Sequence, residues 1–350
     1  MKIAHFAPYA PFACGLYEAA RDFVHADIVA GNEAFLVDTG AVVNGVRQAP
    51  RVGEKDDRKE FSLVAHSYTD AFKADVIVMH DGIGEGFLAQ IQTPIILIVH
   101  GRPVECFRPE YKNRSSNAYS FVTNASRWPR VKRVVTMWPR FRPFWAPVVS
   151  EDKLLVIAPP PIDENLFNPN GPIHLIPPNI KGSFNVLIAD SWREVDPYDV
   201  IHGTFLAAKS IPGLKVHVYA VEQQKDKTLG AWEHLFAYMR KLGIQGEVFA
   251  RVPNMSDIYR SMDCVLTPHS IVTRIIGEAL CCGTPVISGT PCEYGQWNCI
   301  PDVAESVAEA IVRASTEAKS VSAKVQEIAS AFKLERFGRA MDVVYQEAVK

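Results

Sequence analysis

Short runs rich in valine, isoleucine and leucine alternate along this chain with segments whose apolar residues return every third or fourth position, and the alternation starts over once at mid-length. Strand side chains repeat every two residues and helix side chains about every 3.6. A chain that keeps switching between the two periods joins parallel strands through helices, and the helices then cover the sheet. In the first half, strands are expected at Lys2–Phe6, Glu33–Val37, Val76–His80, Ile95–His100, Arg133–Met137 and Leu154–Ala158. Leu16, Ala20, Phe23 and Val24 recur at helical spacing and predict a helix that opens just after Cys14-Gly15. The second half restarts with strands at Asn185–Ala189, Lys215–Ala220, Glu247–Ala250, Cys264–Leu266 and Thr284–Ser288, separated by amphipathic helices. Between the halves lies APPPIDENLFNPNGPIHLIPPNIKG (Ala158–Gly182), rich in proline and poor in periodicity, as a linker would be. The expected architecture is α/β, with two Rossmann-like domains at 1–165 and 166–334 facing across a cleft where a ligand binds.

Length agrees, since 350 residues is long for one compact domain and comfortable for two. With 48% hydrophobic residues, 22% charged and no low-complexity tract, the composition is that of an ordinary globular protein rather than a disordered one. A net charge of -2 argues against whole-surface attraction to nucleic acid or membrane, although a local basic patch is compatible with it. The start, MKIAHFAPYA, is broken by His5 and Pro8 and is too short and polar for a secretory signal. No run approaches the roughly 20 apolar residues of a membrane span. The seven cysteines are odd in number, sit largely in apolar segments (Cys264, Cys281, Cys282) and form no CxxC pair. A reducing, cytoplasmic setting and no bound metal are expected. No GxGxxG is present, which leaves a dinucleotide dehydrogenase unsupported, and no cofactor is expected.

Several residues could carry chemistry. Glu278 opens an amphipathic stretch that Gly283 and Pro285 stop, so its carboxylate is expected near the domain edge, where it could take both hydroxyls of a ribose. On spacing alone the plainer account, a first-turn glutamate favoured by the helix dipole, is the better one. Gly15 stands at a strand-to-helix turn, where a glycine lets backbone approach a phosphate or sugar. His100 is expected at the carboxyl end of a strand, on the rim of the cleft. His80 and Asp81 end the strand before it, but their adjacency is unspecific and no further residues have metal spacing.

The stretch from Arg102 to Trp145 carries ten basic residues, among them Arg102, Arg127, Arg130 and Arg140, interleaved with aromatics that include Trp128, Trp138, Phe141 and Trp145. Basic residues with aromatics suit a polyanion or a phosphorylated acceptor. Equally, the aromatics would pack a core that the arginine stems cover.

The whole context resembles the family 4 glycosyltransferases of the two-Rossmann (GT-B) class. The resemblance rests on TPHSIVTRIIGEALCCGTPVIS (Thr267–Ser288), on RVPNMSDIYRSMDCVLTP (Arg251–Pro268) with Asp257, Tyr259 and Asp263, on the glycine turn at Pro11–Gly15, on ILIVHG (Ile96–Gly101) and on APPPIDENLFNP. It runs nearly end to end. The last helix, within Ala331–Lys350, resembles the family's terminal helix, which crosses back to the N-terminal domain, so residues 335–350 are expected to complete that domain. The resemblance implies transfer from a nucleoside-diphosphate sugar with retention of configuration and without a metal. It implies Glu278 on the ribose, Arg193 and Arg274 on the diphosphate, and Gly15 and His100 near the sugar. His100, Arg193 and Glu278 are thus the expected catalytic residues. Gly15, Arg193, Ser270, Arg274 and Glu278 form the donor-binding set, and Arg102, Arg127, Arg130 and Arg140 form a patch for the acceptor, with DNA bearing hydroxymethylated bases as one candidate.

Two departures touch the reacting sugar. Ser270 stands where the family has its first glutamate, and Asp196-Pro197 stand where it has a lysine and a glycine. A sugar-nucleotide epimerase or hydrolase, a nucleotide-sugar-binding protein without catalysis and a basic-patch interaction protein therefore remain as alternatives.

Overall fold

The computed structural model describes residues 1–11, 15–40, 42–43, 46–56, 63–80, 90–100, 118–189, 197–219, 229–250, 252–269, 273–289, 292–318 and 320–350. They form two compact units, one of Met1–Asp163 with Phe332–Lys350 and the other of Glu164–Ala331.

The first unit contains β1 (Lys2–Ala7), α1 (Gly15–Val29), β2 (Glu33–Asp38), a short hairpin of β3 (Val42–Val43) and β4 (Val46–Arg47), β5 (Lys55–Asp56), β6 (Leu63–His66), α2 (Tyr68–Ala71), β7 (Val76–Met79), β8 (Ile95–Val99), α3 (Ala118–Ala125), β9 (Val131–Thr136), α4 (Arg142–Trp145) and β10 (Leu154–Val156). Eight of these strands make one sheet in the order β10-β9-β8-β7-β1-β2-β6-β5. Every neighbouring pair is parallel except β5 with β6. Central strands such as Val76–Met79 and Ile95–Val99 are buried at every position, which is why they read as unbroken apolar runs rather than alternating ones. The chain leaves β1 for β2 on one side and returns to β7 on the other, so a topological switch point lies between β1 and β7.

The second unit contains β11 (Phe184–Ala189), α5 (Pro197–Ala208), β12 (Leu214–Tyr219), α6 (Leu229–Lys241), β13 (Gln245–Phe249), α7 (Met255–Arg260), β14 (Cys264–Thr267), α8 (Arg274–Cys281), β15 (Val286–Ser288), β16 (Trp297–Asn298), α9 (Ala304–Glu317) and α10 (Ser322–Ala329). Its six strands run parallel in the order β13-β12-β11-β14-β15-β16, with the switch point between β11 and β14. Val186, Ile188, Val216, Val218, Leu266 and Ile287 from the sheet pack with Val200, Ile201, Val307 and Ile311 from α5 and α9. The two helices come close because Gly203 has no side chain, since a Cβ there would lie 2.6 Å from the Ala304 carbonyl oxygen.

The last helix, α11 (Leu334–Ala348), belongs to the first unit and packs along α1. Leu334, Phe337, Met341, Val344, Tyr345 and Ala348 form its buried stripe. Gly338 sets the approach, because a Cβ there would lie 2.1 Å from the Ala26 carbonyl oxygen. The Phe23 and Phe337 rings meet edge to face with centroids 4.5 Å apart.

Five short strands were not expected, the β3–β4 hairpin and three that lengthen the two sheets. Leu63–His66 and Lys55–Asp56 extend the first sheet beyond β2, and Trp297–Asn298 closes the second. All are only two to four residues long, too brief to show a period. Among the described residues no helix is long and apolar enough to cross a membrane.

Candidate active site

In the second unit the GEALCCGTPVIS segment forms a helix, a glycine stop and a strand. Gly283 adopts φ 82°, its N–H donates to the Leu280 carbonyl at 2.9 Å, and the Thr284 N–H reaches back to Ala279 at 2.9 Å. This pair of bonds around a left-handed residue is a Schellman motif, which satisfies the last carbonyls of α8 and sends the chain into β15. The start of α8 differs from the sequence expectation. The helix begins at Arg274, with Thr273 as its extended N-cap, so Glu278 lies one turn inside rather than opening it.

That shift gives Glu278 a partner on its own helix face. The Arg274 Nε donates to Glu278 Oε1 at 2.5 Å across an i,i+4 pair, with side chains 17% and 13% exposed. Tyr259, buried on α7, donates its hydroxyl to Glu278 Oε2 at 3.1 Å. Burial, reinforced by the Glu278 charge, pushes the Tyr259 hydroxyl well above its ordinary pKa, so it stays protonated and remains a donor. The Arg274 guanidinium lies 5.8 Å from the Phe167 ring centroid. Thr284, from the Gly-Thr-Pro turn, donates its hydroxyl to the Tyr259 carbonyl at 2.7 Å and fastens the helix that carries Tyr259. Asp257 pairs with Arg260 at 2.5 Å, and Asp263 accepts the Asn185 N–H at 2.7 Å, so both aspartates brace the unit. Arg193, Asp196 and Ser270 lie outside the described residues.

In the first unit Gly15 heads α1 and is exposed, and a Cβ added there would meet nothing within 4 Å among the described residues. His100 follows β8 directly and is partly accessible. Its Nε2 lies 2.7 Å from His80 Nδ1, and His80 Nε2 lies 3.0 Å from His5 Nδ1. Burial lowers the His100 pKa to about 3 and holds His80 well below the usual histidine range, so both rings are neutral at physiological pH.

The basic patch divides. Arg127 and Arg130 precede β9 and Arg140 follows it, so they lie toward opposite ends of a six-residue strand, and all three are exposed. Arg130 bonds to Gln92, Arg133 pairs with Glu347 at 2.9 Å and Arg142 with Glu151 at 3.1 Å. Trp138, Phe141 and Trp145 are buried in the core of the unit. Arg102 and Asp81 lie outside the described residues.

A buried trio links α1 to the chain leaving the first unit. His25 Nδ1 lies 2.7 Å from Asp163 Oδ2, the Asp163 N–H donates to Asp22 Oδ2 at 3.1 Å, and Arg21 donates to Asp22 Oδ1 at 3.0 Å. These ligand atoms lie within 4.8 Å of one another, a spacing that a metal ion could use. Their oxygens already accept from protein donors, which makes the trio a hydrogen-bonded latch.

No protein-family model and no curated protein matches the sequence. The fold, however, has counterparts: two parallel-sheet Rossmann-like units with the last helix returned to the first is the GT-B arrangement of glycosyltransferases. Sucrose-phosphate synthase from Thermosynechococcus elongatus matches with a TM-score of 0.70 at 15% identity, over 99% of this chain and 98% of that one. The pneumococcal O-GlcNAc transferase GtfA, in complex with UDP and GlcNAc, matches at 0.69 and 12% over 100% and 99%. HepE from Anabaena, in complex with UDP and glucose, matches at 0.67 and 13% over 99% and 100%.

Sequence reasoning singled out Arg274 and Glu278 separately, and the structure joins them. It passed over Tyr259 as a support for Glu278 and His5 as a neighbour of His80. A histidine interrupting an apolar strand was the only available sign of the latter.

Proposed function

We propose that this protein transfers a sugar from a nucleoside-diphosphate sugar to a hydroxyl acceptor. The bond between the anomeric carbon and the diphosphate oxygen breaks, its electron pair leaves with the nucleoside diphosphate, the carbon joins the acceptor oxygen, and the acceptor's proton passes to the departing diphosphate. The observation that carries this reading is the fold correspondence over essentially the whole chain with glycosyltransferases, two of them in complex with UDP and a sugar. The second unit holds the nucleotide. Glu278, oriented by Tyr259 and Arg274, takes the ribose hydroxyls, and Arg193 with Arg274 meets the diphosphate, whose departing charge needs cationic donors. The first unit serves the acceptor, with Gly15 and His100 near the sugar, and the exposed Arg127 and Arg140 make an anionic acceptor, DNA included, the first class to test. Transfer proceeds with retention and without a metal or cofactor. A reducing cytoplasmic setting suits the buried thiols of Cys264 and Cys299, the latter pushed up to about 12 by burial.

The test is to incubate the protein with a panel of nucleotide sugars, with and without hydroxymethylated DNA, and to measure free nucleoside diphosphate. Release from at least one sugar is expected; release from none, with the fold intact, overturns the transferase. Glu278→Ala should weaken UDP-glucose binding by roughly tenfold or more, the loss expected for a charged hydrogen-bond acceptor. Unchanged affinity by titration calorimetry would remove the ribose assignment.

A further inference from the structure

Three imidazoles and a carboxylate cross the first unit in single file. Asp27 Oδ2 on α1 receives the Tyr345 hydroxyl of α11 at 2.8 Å and lies 2.8 Å from His5 Nε2. The file continues through His5 Nδ1 to His80 Nε2 at 3.0 Å and through His80 Nδ1 to His100 Nε2 at 2.7 Å. His5 is fully buried, Asp27 and His80 nearly so, and His100 reaches a partly accessible surface. The His5 and His80 rings stack with centroids 5.3 Å apart, and Phe23 packs edge-on to His80 at 4.8 Å.

A neutral imidazole has one donor nitrogen and one acceptor nitrogen, so each ring passes a direction to the next. Because Asp27 Oδ2 is an acceptor, His5 as a neutral ring donates from Nε2 and accepts at Nδ1. His80 then donates from Nε2 and accepts at Nδ1, and His100 donates from Nε2. Only His100 Nδ1 is left over, as a bare lone pair. Burial raises the pKa of Asp27, but a proton taken up on Oδ1 leaves Oδ2 an acceptor and the direction unchanged.

We propose that Asp27, His5 and His80 are positioning residues that fix His100 as a neutral ring with Nδ1 as acceptor, so that the ligand group it selects is a donating hydroxyl rather than a carbonyl or a carboxylate. The identity of that ligand as a nucleotide sugar rests on the proposed function; the direction of the file does not. Histidine-selective 15N spectra of the full chain at neutral pH read the tautomers directly. His100 should carry its proton on Nε2 with Nδ1 bare; a proton on Nδ1 overturns the proposal.

His80→Gln keeps an acceptor toward His100 and a donor toward His5, whereas His80→Phe keeps only the volume. The glutamine variant should preserve the His100 tautomer, and the phenylalanine variant should release it to a mixture. An unchanged tautomer in the phenylalanine variant also overturns the proposal, and if neither variant folds the wild-type spectra still decide it. With UDP-glucose and UDP as probes, His80→Phe should weaken UDP-glucose by about fivefold to tenfold, the worth of one hydrogen bond, and leave UDP unchanged, with His80→Gln close to wild type. Equal loss for both probes would reduce the chain to general structural support and overturn the positioning role. Failure of the wild type to bind either probe would sink the nucleotide-sugar reading alone, leaving the tautomer result to stand.

Discussion

Glu278 is held from two sides, by a cation on its own helix and by a phenol from α7. A carboxylate fixed in this way would lose less rotamer freedom on taking the two ribose hydroxyls proposed for it. Tyr259→Phe removes the hydroxyl and keeps the packing, so UDP-glucose affinity should fall by about threefold to tenfold with little change in Tm, as calorimetry and a thermal melt would show. A different residue contributes to acid stability. His217 is fully buried, its Nδ1 accepts the Glu247 N–H at 3.0 Å and its Nε2 lies 3.3 Å from Asn185 Oδ1, a pairing made by the neutral ring. Burial lowers its pKa to about 4 from the ordinary 6.5. Below pH 6.5 the unfolded chain binds a proton that the folded chain refuses, so this stability is complete above that pH and falls as pH drops toward 4, by at most about 1.4 kcal/mol per pH unit. Tm should therefore drop between pH 7 and pH 5, and less in His217→Gln; equal drops would contradict the assignment. The end of the helix that carries Glu278 was legible in the sequence because a glycine stop and a following strand bracket it, whereas its start at Arg274 was not. Tyr259 was not legible as the partner of Glu278, since no period connects residues on separate helices.

At the scale of the element, Gly283 and Gly338 are both required but for different reasons. Gly283 holds φ 82°, where a side chain is strained, while its added Cβ would only reach contact distance from Pro169 at 3.4 Å. Gly283→Ala should cost about 1 kcal/mol, measured by urea unfolding. Gly338 is helical, and its replacement drives a Cβ into backbone rather than into a yielding side chain. Gly338→Val should cost more than about 2 kcal/mol and separate α11 from α1, seen as loss of the Phe23–Phe337 contact by NMR. The sequence announced the first glycine, which ends a helical pattern before proline. It concealed the second, because a glycine inside a helix looks the same whether or not another backbone lies against it. Central strands were legible for the converse reason, as continuous apolar runs need no partner to be recognised. Leu63–His66 needed β2 beside it to become a strand.

The whole molecule is divided unequally along the sequence. Glu164–Ala331 is continuous, whereas the other unit draws its last helix from beyond it. Removing residues 332–350 would uncover Phe23 and take the Tyr345 donor from Asp27. Hydrogen exchange should then lose protection at β1 and β7 while β11 and β14 keep theirs; uniform loss would mean that the two units unfold as one.

The returning helix also sets an order of assembly. Domains form as units while a chain is made, at roughly 5–20 residues per second, and usually from the N-terminus onward. Here the part of the chain made before the other unit has to wait for a helix made after it, because α1 keeps an uncovered apolar face until α11 arrives. The later-made unit is free to finish sooner. Newly made protein is therefore expected to pass through a stage with a complete second unit and an open first one, in which Asp27 still lacks the Tyr345 donor.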